Sequence, residues 1–230
     1  VANNAWQKGC ADPSFTWSGA SDSGAGLAGY YYYWGTDPNG TPASYTSSAA
    51  YNPGAVASPS TNYLRVQARD NVGLTSGWVT LFTLKYDASP PNDPSVSSSS
   101  HTRSSWSADT TVDVAWSGAS DGAGSGVNGY SVQWSTSPTS LPDTAQDLTG
   151  TALTSAALNS GSSWYFHVRA RDVVGNWSPT AAHFGPFFID AVQPLNPAVA
   201  SPSHTRSKWS GDATVDVSWS GASDSTGSGV

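Results

Sequence analysis

The sequence predicts an all-β chain of tandem β-sandwich domains, about 100 residues each. Three observations carry that prediction: a long internal repeat, bulky residues alternating with period two, and turn clusters at short intervals. The repeat is plainest from Pro94, where the chain runs PSVSSSSHTRSSWSADTTVDVAWSGASDGAGSGVNGYSVQW. From Pro197 it runs PAVASPSHTRSKWSGDATVDVSWSGASDSTGSGV. His101, Arg103, Trp106, Trp116 and Asp121 are answered by His204, Arg206, Trp209, Trp219 and Asp224. A more diverged copy opens the chain, with Trp6, Trp17, Asp22, Gly29 and Trp34 answering Trp106, Trp116, Asp121, Gly129 and Trp134. The expected domains are therefore 1–88, a first repeat without its first strand; 89–191, a complete second repeat; and 192–230, the first two strands of a third.

Within the second repeat the alternation places a strand at Thr111–Trp116, with Val112, Val114 and Trp116 on one face. A second runs over Gly129–Trp134 with Tyr130, Val132 and Trp134 together. A third, Trp164–Ala170, sets Trp164, Phe166, Val168 and Ala170 against Tyr165, His167 and Arg169. The last is Phe184–Ile189. Turn clusters lie between them: SGASDGAGSG (117–126), STSPTSLPD (135–143), LNSGSS (158–163) and DVVGN (172–176). About seven short strands with turn signals every 8–12 residues is the pattern of an immunoglobulin-like sandwich. The junctions are legible too, since YDASPPNDPSV (86–96) answers IDAVQPLNPAV (189–199). Prolines stiffen such linkers.

Composition agrees. Charged residues are 11% of the chain, well below the usual share, while Trp and Tyr number 11 and 10. Disordered chains are poor in such aromatics. The net charge is −7, and every acidic residue is Asp. Nine scattered basic residues make a poor nucleic-acid binder, because phosphate neutralisation needs clusters of Lys and Arg. No run approaches the roughly 18 apolar residues of a membrane span. Cys10, the one cysteine, has no internal partner and reads as a plain small residue, with cross-linking between chains as the alternative.

The motifs SGASD-x-x-x-GSGV-x-GY-x-x-x-W and WYFHVRARD-x-x-GNWS resemble fibronectin type III and bacterial Ig-like repeats of very large secreted or cell-surface proteins. The resemblance covers the whole chain. It implies spacers, stalks and adhesive or filament-forming modules, or accessory modules of secreted polysaccharide-degrading enzymes. The first repeat departs from it, with LAGYYYYW for VNGYSVQW and DNVGLTSGW for DVVGNW.

The recurring tryptophans at 6/106/209, 17/116/219 and 34/134 are expected in cores, since a fold needs periodicity and a single binding site does not. Tyr31, Tyr33, Trp78 and Trp177 are the candidates for an exposed contact surface, such as one for a cell-surface glycan. Among the aspartates, Asp121 precedes the third strand of its repeat and Asp172 precedes the last. In this fold both loops sit at the end where the preceding linker arrives, bringing Asp87 and Asp93. This suggests calcium at the repeat junctions, held by Asp121, Asp172 and a linker carboxylate. Asp190 and Asp224 are the equivalents at the next junction, and Asp22 and Asp70 those of the first repeat. The simpler alternative is that these aspartates cap turns beside glycine. Asn39-Gly-Thr and Asn176-Trp-Ser match glycosylation sequons.

No nucleophile–base pair, paired catalytic carboxylates or metal-protease motif is visible. His101 and His204 repeat with the fold, and His167 and His183 stand in no recognisable motif. The expectation is a non-enzymatic segment of an extracellular fibre, stalk or adhesin. Its partners would be adjacent repeats or copies of itself, joined head to tail through the incomplete terminal repeats. The alternative is an accessory region of a secreted polysaccharide-degrading enzyme.

Overall fold

The computed structural model describes residues 1–41, 44–224 and 227–230. Those residues form strands, turns and irregular connections. No helix among them is long and apolar enough to cross a membrane.

The second unit contains seven strands: β8 (Ser95–Ser98), β9 (Trp106–Ser107), β10 (Asp113–Ser117), β11 (Val127–Ser135), β12 (Ala152–Thr154), β13 (Gly161–Asp172) and β14 (Ala182–Ile189). They make a three-stranded sheet, β12-β10-β8, and a four-stranded sheet, β11-β13-β14-β9. The strand order is that of the immunoglobulin-like, fibronectin type III-like sandwich. Alternation explains the core. Val112, Val114 and Trp116 point inward from one sheet; Tyr130, Phe166, Val168, Ala170, Phe187 and Ile189 point inward from the other. Trp134 packs its ring on Phe166 at 5.1 Å, and Trp116 meets the same ring at 5.5 Å.

The first unit uses β1 (Trp6–Gln7), β2 (Phe15–Thr16), β3 (Leu27–Gly35), β4 (Ser44–Thr46), β5 (Ala50–Tyr51), β6 (Ser60–Asp70) and β7 (Val79–Tyr86). Its larger sheet runs β1-β7-β6-β3-β4, and β2 pairs with β5 across the core. Phe15, Tyr30, Leu64 and Val66 are buried there, with Trp17, Tyr32 and Trp34 packed against them. Both units carry a bulge at the same place, between Leu27 and Gly29 and between Val127 and Gly129. The glycine of each GY pair lets a neighbouring side chain cross it. A Cβ on Gly129 would stand 2.5 Å from the Gln146 amide carbon, and one on Gly29 would strike Tyr45.

Four of the eight recurring tryptophans depart from the expected core. Trp106 is 38% exposed, because its two-residue strand runs along the edge of the sheet, parallel to β14, where its ring lies on Phe188. Trp6 occupies the matching edge beside β7 and is half-buried. Trp219 is 71% exposed and Trp209 is fully exposed. In this third unit β15 (Ala198–Ala200) pairs with β16 (Ser218–Ser220), and the sheet that covers Trp116 has no counterpart among its described residues. The repeated histidines do lock a turn. His101 bonds Ser100 and the Asp109 carbonyl, and His204 bonds Ser203 and the Asp212 carbonyl.

Candidate metal centre

The linker after β7 is held by both units. The Asp87 amide donates to the Gln7 carbonyl at 2.9 Å, and the Ala88 amide donates to Ser58 Oγ at 2.7 Å. On the other side the Asp87 carboxylate accepts the Ser125 amide at 2.7 Å. Asn176, buried at the tip of the β13–β14 turn, donates its side-chain amide to the Asp87 and Ser89 carbonyls, each at 3.3 Å. Ser178 Oγ reaches the Pro91 carbonyl, the Asn92 amide bonds the Ser120 carbonyl, and Lys8 Nζ donates to the Gly175 carbonyl.

This docking brings three carboxylates together. One oxygen each from Asp87, Asp121 and Asp172 lie within 4.8 Å of one another. Asp87 and Asp172 are fully buried and Asp121 is 9% exposed. Asp121 Oδ2 accepts the Gly126 amide at 2.8 Å, while its Oδ1 is buried with no hydrogen-bond partner. Asp172 accepts the Asn176 backbone amide and side-chain amide, both at 2.7 Å. Burial raises the Asp121 carboxyl above its ordinary range; the Gly126 amide opposes this, and the charges of Asp87 and Asp172 push the same way as burial. Gly124 stands over the group: a Cβ there would come within 2.6 Å of Asp121 Oδ2 and 2.7 Å of Asp87 Oδ2.

The pattern recurs one repeat later. The Ser228 amide donates to Asp190 Oδ2 at 2.7 Å and the Gly229 amide to Asp224 Oδ2 at 3.0 Å. Asp224 Oδ1 is again buried and unpartnered, and Gly227 again leaves room for both carboxylates. The Ser228 amide holds the Asp190 carboxyl below its usual range.

The other sequence candidates fall elsewhere. Asp93 is bound by Ser178 and Thr180 and does not join the three-carboxylate group. Asp22 caps the Gly26 amide, and Asp70 caps the Val72 and Leu74 amides, both on the rim of one surface depression. Tyr31, Tyr33, Trp78 and Trp177 are each half-buried. Tyr31 packs on Tyr45, and the Tyr33 ring crosses Gly40 while its hydroxyl accepts the Asp37 amide. Trp177 lies beside the Arg169 and Arg171 guanidinium groups. Cys10 is buried, and burial pushes its thiol pKa up. Of the two sequons Asn39 is exposed, whereas Asn176 is buried in the junction.

Two features went unseen in the sequence. Asn176, read only as a sequon, is the residue that stitches linker to turn; its recognisable signal is the GN pair after the RARD strand. His167 and His183 do have partners, each other, at 2.7 Å across β13 and β14, and His167 Nε2 lies 2.8 Å from Ser135 Oγ. That is the spacing of a nucleophile and base. However, His167 is fully buried, and Ser135 Oγ already bonds the Ser137 amide and Ser140. His167 is thus engaged at both ring nitrogens, by Ser135 and by His183, within the sheet.

No family model matches the chain. Among curated proteins it is similar to Exoglucanase B of Cellulomonas fimi, at 28% identity over 225 residues, covering 95% of this chain. The chain spans 19% of the length of that relative. Among solved structures it is similar to the fibronectin(III)-like modules of Clostridium thermocellum CbhA, at 13% identity and a TM-score of 0.33, over 81% of this chain and 90% of that one. Chicken CNTN1 FN1-FN3 domains align at 12% identity and a TM-score of 0.33, over 82% of this chain and 64% of theirs.

Proposed function

We propose that the chain is a non-catalytic spacer region of a secreted polysaccharide-degrading enzyme. The observation that carries this reading is the alignment with Exoglucanase B, which takes in 95% of the chain yet a small part of that protein. A tandem of sandwiches inside a much longer polypeptide suits the task of holding working domains apart. The tight docking of the linker on the second unit supports a spacer of defined geometry. The same similarity supports action outside the cell.

The test is capture from the culture medium of the source organism, with an antibody raised against this chain. Recovery of a longer polypeptide with polysaccharide hydrolase activity is expected. The purified 230-residue chain is expected to release no reducing sugar from cellulose and to stay in the supernatant. Captured material without hydrolase activity refutes the reading. Depletion of the purified chain onto cellulose would replace the spacer with a binding module, and its assembly into filaments would favour a fibre.

A further inference from the structure

We propose that Asp87, Asp121 and Asp172 form a calcium site where the first sandwich meets the second, and that Asp190 and Asp224 begin the same site one repeat on. The inference stands apart from the enzyme-accessory reading, since a stalk or a fibre would gain equally from it.

Convergence alone is weak, because aspartates crowd into turns for other reasons. The second observation is Asp121 Oδ1. Its residue is nine-tenths buried, and the oxygen is closed off from water without a donor. An unpartnered anionic oxygen in such a place is costly, and native structures rarely leave one. Turn capping accounts for Oδ2, which takes the Gly126 amide, and leaves Oδ1 unexplained. The same atom of Asp224 is orphaned in the next copy. The orphan therefore recurs at the equivalent place of the next repeat.

The chemistry of the donors selects the ion. All three are carboxylates, which suit a hard cation, whereas zinc and copper favour nitrogen and sulfur. The carboxylates come from the linker, the loop before β11 and the turn after β13, so the set is irregular. Calcium tolerates irregular sets of six to eight oxygens, and magnesium demands a near-ideal octahedron. Three carboxylates supply three to six of those oxygens, and water or main-chain carbonyls complete the shell. Gly124 supplies the space. Because Asp87 belongs to the linker, the ion would tie the linker to the second unit and fix the angle between sandwiches.

Titration calorimetry of the full chain, stripped with chelator and then given calcium chloride, is the primary test. Binding is expected, with a rise in melting temperature that chelator reverses. Asp121→Asn should weaken calcium binding at least tenfold. In chelator it should melt at or above the wild type, because a buried like charge is gone, and in calcium below it. Gly124→Ala keeps every carboxylate and should also weaken binding at least tenfold. Absence of heat together with a melting temperature indifferent to calcium overturns the proposal. So does calcium binding undiminished in both variants. An Asp121→Asn variant that melts below wild type equally with and without calcium would reduce these aspartates to turn caps.

Discussion

Trp116 and Trp219 hold the same place in the repeat, and the structure assigns them very different energies. Trp116 is 3% exposed and Trp219 is 71% exposed. A large aromatic covers about 150–250 Å², worth roughly 25 cal/mol per Å² once buried. Trp116 therefore contributes about 4–6 kcal/mol and Trp219 about 1–2 kcal/mol on the same scale, both upper bounds because unfolded chains are partly compact. Truncation of a buried aromatic to Ala typically costs about 3–5 kcal/mol. That is comparable with the ~5–15 kcal/mol that holds a whole domain together. Since about 1 kcal/mol moves the melting point of a 60–100-residue domain by roughly 4–8 °C, Trp116→Ala should shift one transition by more than about 12 °C. Differential scanning calorimetry is the assay, because separate units can melt separately. The first unit's transition should stay in place in both variants, and Trp219→Ala should leave the transitions of both complete units in place, because Trp219 packs in neither of their cores. Equal losses from the two variants would refute the burial argument. It would fail equally if Trp116→Ala cost under about 1 kcal/mol, far below the range for emptying a core site.

Other consequences follow from single groups. Asn176→Ala removes the amide that joins Asp172 to the Asp87 and Ser89 carbonyls. It should cost about 1–3 kcal/mol in chemical denaturation and broaden the distribution of interdomain distances seen by small-angle scattering. His167 is held neutral: burial first, then the neighbouring His183, lower its pKa from 6.5 to about 4. A base depressed in the folded state leaves stability whole above about 6.5, and stability falls as pH drops from there toward 4, because the unfolded chain takes up the proton first. Denaturation midpoints measured between those limits should fall for wild type and flatten for His167→Gln. In a glycosylating host Asn39 is the sequon open to modification, and peptide mapping should find Asn176 bare.

The strands were legible because their residues alternate. Val112, Val114 and Trp116 show period two, and nothing else in the chain competes with that signal. Strand ends were less legible: β13 extends to Asp172 beyond the expected Ala170, because Arg171 and Asp172 continue the pairing with Gly129 and Val127. Repetition pointed to the tryptophans, but repetition reports position and not cover. Trp106 sits on an edge strand, and Trp219 lacks the opposing sheet, so identical residues end in different surroundings. The junction was half legible. The sequence placed Asp121, Asp172 and a linker aspartate at one end of the sandwich. It did not choose between Asp87 and Asp93, which depends on where Ser178 and Thr180 stand relative to Pro91. The His167–His183 pair was invisible, since cross-strand register decides it and strand alternation alone does not.

The junctions show how tandem geometry can rest on one residue. Asp87 gives its amide to the first unit through the Gln7 carbonyl, and its carbonyl and carboxylate to the second through Asn176 and Ser125. Asp190 repeats the division, with its amide on the Ser107 carbonyl and its carboxylate on the Ser228 amide. A residue shared in this way cannot rotate without breaking bonds on both sides. Proline limits the linker's freedom, and this two-sided aspartate adds bonds to the units on either side. Asp87→Asn keeps the backbone amide and carbonyl bonds, removes the charge and gives up one of the two side-chain acceptors that hold the Ser89 and Ser125 amides. If backbone bonding sets the angle, that variant should hold the wild-type scattering profile in chelator. If the three-carboxylate group sets it, wild type alone should stiffen when calcium is added.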